Sequence, residues 1–93
     1  MSNITFQPIK NYDLQVASDG EAKSRIIIIK SSTETGTWRR VENAQILIIG
    51  DKALRELTRF AKENGRPAAN DAFPGGIAGR AYTNLRKYLN LSK

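Results

Sequence analysis

Short alternating or apolar blocks fill the first half of the chain, and the pattern changes to a helical period near residue 50. Ile4-Thr5-Phe6-Gln7 alternates ahead of Pro8 and reads as a short first strand or an ordered arm. In residues 12–16, Tyr12, Leu14 and Val16 point one way and Asp13 and Gln15 the other, the pattern of a half-buried strand. Ser18-Asp19-Gly20 is a turn signal, because glycine tolerates positive φ and aspartate bonds its local backbone. Residues 24–31 hold four consecutive isoleucines, which are stiff at χ1 in a helix and well suited to a strand. Apolar character on both faces predicts a central strand, covered on both sides or on one side by a partner chain. After a polar turn at 32–36, residues 37–41 form a third predicted strand, Asn43-Ala44 permits a turn, and residues 45–49 form a fourth.

Beyond Gly50 the apolar positions Ala53, Leu54, Leu57, Phe60 and Ala61 fall on one helical stripe. Asp51 is placed to cap that helix, and Gly65 followed by Pro67 ends it. Residues 66–76, with Pro67, Pro74, Gly75 and Gly76, read as a linker, and a last helix is expected from about 77 to 89. The fold class is α+β: four antiparallel strands, a helix, a Gly/Pro linker and a second, C-terminal helix. Strands preceding helices argue against parallel crossovers. This divides one domain into a sheet-plus-helix core at 1–65 and a basic linker and helix at 66–93.

Composition narrows the chemistry. With 93 residues the chain fits a single small domain. It has neither cysteine nor histidine, so disulfides, thiolate metal sites and the usual general base are all ruled out. The nine carboxylates form no recognisable catalytic pair, and the expectation is a binding protein that needs no cofactor or metal. The N-terminus has no signal-peptide pattern, and the longest apolar runs, at 26–29 and 46–49, fall far short of the roughly 20 residues a membrane span needs. A cytoplasmic or nucleoid-associated protein is therefore expected.

Net charge is +6, and it is unevenly spread. Residues 1–65 carry ten basic and eight acidic side chains, whereas 66–93 carry five and one. Such a balance favours polyanions. Trp38 shares a strand face with Arg40, while Arg39 lies on the other. An aromatic ring beside guanidinium groups on a sheet suits single-stranded nucleic acid, whose bases stack and whose phosphates need cations. Lys23, Arg25 and Lys30 bracket the isoleucine run and are candidates for phosphate contact. The same charges also serve to keep an apolar strand soluble. Tyr12 is a second candidate for stacking. Arg55, Arg59, Lys62 and Arg66 form a basic ridge that reads as an ordinary solvated helix face. The stretch Phe73-Pro74-Gly75-Gly76-Ile77-Ala78-Gly79-Arg80 fits neither nucleotide-binding fingerprint and reads as a flexible connection. Arg80, Arg86 and Lys87 lie beside Tyr82 and Tyr88 on the last helix, which suits contact with nucleic acid, dimerisation or a mobile tail.

The succession Ser24-Arg25-Ile26-Ile27-Ile28-Ile29-Lys30, a turn, Thr37-Trp38-Arg39-Arg40, Gln45-Ile46-Leu47-Ile48 and a helix resembles the positive-cofactor-four transcriptional coactivators. These are similar in layout to the Pur-alpha and Whirly proteins. The resemblance spans roughly residues 12–64. It implies a curved four-stranded antiparallel sheet followed by a helix, homodimers, and binding of single-stranded DNA or RNA. It places Lys23, Arg25, Trp38, Arg39 and Arg40 along a nucleic-acid channel. Glu42-Asn43-Ala44 departs from the basic-Gly step common before the family's last strand, and residues 66–93 have no counterpart. The expectation is a homodimeric single-stranded nucleic acid binder of low sequence specificity, serving transcription, replication or recombination. The alternative is a small regulator or inhibitor that docks on another protein, with residues 66–93 as the contact.

Overall fold

The structure is a computed structural model that describes residues 4–20, 25–41 and 43–91. Its elements are β1 (Gln7–Ile9), β2 (Leu14–Asp19), β3 (Ile26–Lys30), β4 (Trp38–Val41), β5 (Ile46–Ile49), α1 (Asp51–Glu63), α2 (Arg66–Ala72) and α3 (Gly79–Tyr88). The class is α+β, as expected. The sheet differs in detail: among the described residues it has five strands in the order β1-β2-β3-β5-β4, and β3 pairs with β5 in parallel.

Strand composition explains this order. Apolar on both faces, β5 gains most from an interior position, and it lies between β3 and β4. Its neighbour β4 carries Trp38, Arg39 and Arg40 and takes an edge, where charged side chains discourage further pairing. At the opposite edge is β1, whose Pro8 has no N–H to give a ladder. A parallel pair needs a long crossover, usually helical. Here the crossover is the segment 31–45, and β4 itself is part of it. The antiparallel expectation failed because length is what such a connection requires, and a strand supplies it as well as a helix.

Period-two alternation then decides which side chains meet the helices. Leu14 and Val16 of β2, Ile27 and Ile29 of β3, Val41 of β4 and Ile46 and Ile48 of β5 join one buried cluster with Ala53, Leu57, Phe60 and Ala61 of α1. Ala69 of α2, Phe73, Ile77, and Tyr82 and Leu85 of α3 complete it. Residues 66–91 thus belong to the same core as residues 4–65. The opposite face carries Ala17, Ile26, Ile28, Lys30, Leu47, Ile49, Trp38 and Arg40, none of which belongs to the cluster that the helices join, and of which Ala17 and Ile49 are buried. Ile26, Ile28 and Leu47 on that face are only half-buried.

Three local expectations are corrected. The first strand lies at Gln7–Ile9 rather than at 4–7. Residue 50, a glycine with φ 91°, takes the N-cap of α1, and Asp51 makes no capping hydrogen bond. The expected linker contains α2, because Pro67 sits in the helix's first turn, where its missing N–H and fixed φ are tolerated. The last helix accordingly starts at Gly79, after a loop in which the Ile77 N–H donates to Asn70 Oδ1 at 2.9 Å. No helix among the described residues is long and apolar enough to cross a membrane.

Candidate nucleic-acid interface

The pleat brings Trp38 and Arg40 to one face, as their spacing predicts. Across the sheet the register aligns Lys30 of β3, Ile49 of β5 and Trp38 of β4 in one row, and Ile28, Leu47 and Arg40 in the next. Trp38 is 64% exposed, so its ring is free to receive a base or another planar group. Arg40 is exposed and forms no ion pair among the described residues.

The other candidates among the described residues are already engaged. The Arg25 guanidinium donates to the carbonyl oxygens of Gly75 at 2.8 Å and Gly76 at 3.0 Å, which clamps the α2–α3 loop to the start of β3. Lys30 pairs with Glu34, and its ammonium sits 4.6 Å from the centre of the Phe6 ring. Arg39 points to the helix side and donates to Asp51 at 2.5 Å. That contact holds the Asp51 carboxyl below its ordinary range and raises the Arg39 guanidinium, and the Tyr88 hydroxyl adds to the latter effect. The Arg39 Nε is buried and has no hydrogen-bond partner among the described residues. Lys23 lies outside the described residues.

Tyr12 is also on the helix side, in line with Leu14 and Val16. Its ring meets Phe60 edge-on at 5.2 Å, and the Arg59 guanidinium covers it at 4.4 Å. The phenol donates to Glu63 and accepts from Asn64 Nδ2 at 3.0 Å. The Glu63 bond, followed by desolvation, raises its pKa above the usual tyrosine value. The Arg59 guanidinium thus takes the place over this ring that a stacked base would need. On the basic ridge of α1 and its extension, Arg59 pairs with Glu56 and Glu63, and Arg66 donates to the Ile77 carbonyl at 3.1 Å.

Beside the edge strand lies a feature that strand reasoning missed. A groove of about 490 Å³ runs between β4 and α3, lined by Arg40, Val41, Asn43, Asn84, Lys87 and Tyr88. The Asn84 amide is fixed by donating to the Asn43 carbonyl at 3.0 Å. The basic and aromatic residues of the last helix were visible in the sequence, but their placement against β4 was not. No protein-family model, curated protein or solved structure matches this chain.

Proposed function

We propose that this protein binds single-stranded nucleic acid with low sequence specificity and is not an enzyme. The observation that carries the reading is the exposed Trp38 ring beside Arg40, which makes no ion pair among the described residues, on the sheet face opposite the helix-packed core. A ring on a rigid strand offers a stacking platform at little entropic cost, and an adjacent guanidinium binds phosphate. Arg40 is the principal cation of this interface. Lys30 lies on the same face, held by Glu34, while Arg25 and Arg39 support the sheet from the helix side through the contacts they already make. The excess positive charge draws polyanions toward the whole molecule. A cytoplasmic or nucleoid-associated role in transcription, replication or recombination accords with this activity, as the likeness to the positive-cofactor-four coactivators implied.

The half-buried Ile26, Ile28 and Leu47 favour a second element of the reading, a homodimer closed over the middle of the open face. In that arrangement the apolar centre is covered and the β4 margin with Trp38 and Arg40 stays at the rim. The same ladder is what a docking site for another protein would present, and that is the second reading.

Anisotropy of a labelled thirty-nucleotide oligo-dT at about 50 and 200 mM salt tests the function. Binding that weakens by orders of magnitude with salt, and is weaker still for duplex, is expected. Absence of binding at low salt by folded protein refutes the proposal. Light scattering of the free protein then separates a dimer from a monomer awaiting a different partner.

A further inference from the structure

Two aromatic rings stand exposed among the described residues, Trp38 and Tyr88; Phe6 and Tyr12 are half-buried, and Phe60, Phe73 and Tyr82 are buried. The two exposed rings flank the same strand. Trp38 stands on the open face of β4, and Tyr88, 39% exposed, lines the groove between β4 and α3. Arg40 belongs to both places, sharing a face with Trp38 and lining the groove with Tyr88.

Among the described lining residues the charge is all positive. Arg40 and Lys87 line the groove, neither makes an ion pair among the described residues, and no carboxylate is among the described lining residues. Elsewhere Lys30, Arg39, Lys52 and Arg59 each hold a carboxylate. The amide of Asn84 uses one donor on Asn43, which leaves its carbonyl oxygen and second N–H for a ligand. The strand edge adds further polar groups. Gly50 donates to the Thr37 carbonyl, so residues 37, 39 and 41 direct their peptide groups toward β5. The peptide groups of Trp38 and Arg40 therefore face outward along the free edge.

We propose that the groove between β4 and α3 is a nucleotide subsite, through which a single strand lying on Trp38 continues over the sheet edge. One base stacks on Tyr88, its flanking phosphates lie between Arg40 and Lys87, and the Asn84 amide and the edge peptides meet the base's polar atoms. The proposal rests on the nucleic-acid reading above and assigns it a second contact point. It makes the length of strand engaged depend on α3. A strand long enough to touch both rings binds more tightly than one that covers Trp38 alone.

Labelled oligo-dT of three, six and twelve nucleotides, titrated against wild type, Trp38→Ala, Lys87→Gln, Tyr88→Leu and Tyr88→Phe, tests this. Thermal melts confirm that each variant is folded. Tyr88→Phe removes the hydroxyl near Arg39 but keeps the ring. The expected result is that Tyr88→Leu and Lys87→Gln each weaken twelve-nucleotide binding by about fivefold or more, with the three-nucleotide probe least affected. Tyr88→Phe should recover most of the affinity that Tyr88→Leu loses, because the stacking ring is restored. If Trp38→Ala weakens binding while Lys87→Gln and Tyr88→Leu leave it unchanged, the subsite is refuted and the sheet reading stands. If folded wild type binds no oligonucleotide, both fall together. Displacement of the twelve-nucleotide probe by polyglutamate of equal charge as readily as by unlabelled oligo-dT would show a groove that reads charge alone, and would also overturn the assignment.

Discussion

Arg39 donates to the carboxylate of Asp51 across 2.5 Å, joining the edge strand β4 to the first turn of α1. The pair sits where the chain turns from sheet to helix, and it fixes Arg39 on the side opposite Trp38 and Arg40. Both partners are well exposed, 37% and 67% for their side chains, so the contact directs geometry more than it stabilises the fold.

Acid stability follows from this pair and two others. Asp13 is held below its ordinary 3.8 chiefly by a hydrogen bond from Lys52, Asp51 below 3.8 by Arg39, and Glu56 below 4.5 by Arg59. A carboxyl whose pKa is depressed in the fold contributes fully above its unfolded value and loses that contribution as pH falls through the folded one. The melting temperature should therefore stay level from neutral pH to about pH 5 and decline below about pH 4. Melts across this range on wild type and an Asp13→Asn/Asp51→Asn double variant check it. A shallower acid limb in the double variant is the expected outcome, and identical limbs would mean that these couplings do not persist in solution.

Replacing Trp38 separates binding from folding. The side chain is largely in solvent on an edge strand, so Trp38→Ala should shift the urea midpoint by the equivalent of no more than about 1 kcal/mol. Loss of the stacking platform should weaken oligo-dT binding by about 1–3 kcal/mol, roughly a five- to 150-fold change in Kd. Arg40→Gln should instead flatten the dependence of log affinity on log salt, by about 0.7 for a single strand if one phosphate contact is lost. Titrations at three salt concentrations distinguish the two effects.

Gly50 permits no side chain. Its φ is 91°, and a Cβ there would stand 2.0 Å from the Thr35 carbonyl oxygen. The loop leaving β3 and the start of α1 can approach this closely only at a residue without one. Gly50→Ala should cost more than about 2 kcal/mol in urea unfolding, because positive φ and a backbone clash act together. A variant with unchanged midpoint would show that the loop moves aside freely.

Period two was enough to place Trp38 with Arg40, and Tyr12 with Leu14 and Val16, before any tertiary information. Helical period likewise marked the buried stripe of α1. Alternation says which face a residue takes but not which strand lies beside it, so the parallel pairing of β3 with β5 stayed hidden. The engagement of Arg25 was equally unreadable, since Gly75 and Gly76 lie 50 and 51 residues away in the chain. A glycine-rich loop tied by a distant guanidinium looks, in one dimension, like a linker beside a free cation. Tyr88 and Lys87 were recognised as a basic and aromatic pair, but only the packing of α3 beside β4 gives them a groove.

Phe73 decides whether residues 66–93 are an appendage or part of the fold. It lies immediately after α2, is 2% exposed, and stacks on Phe60 of α1 with ring centres 6.5 Å apart. Its place in the cluster beside Leu57, Ile77 and Leu85 means that the sheet's helix face is not closed by α1 alone. Truncating a buried phenylalanine to alanine removes its transfer free energy and leaves a cavity, a loss of about 3–5 kcal/mol. That is a large part of the stability a domain of this size commands. Phe73→Ala should therefore sharply lower the urea midpoint, and a chain ending at Gly65 should fail to unfold cooperatively at all. Phe73→Leu, which keeps most of the volume, should recover much of the loss. A cooperative transition in the shortened chain would show instead that residues 1–65 fold alone, and that the C-terminal segment merely rests on them.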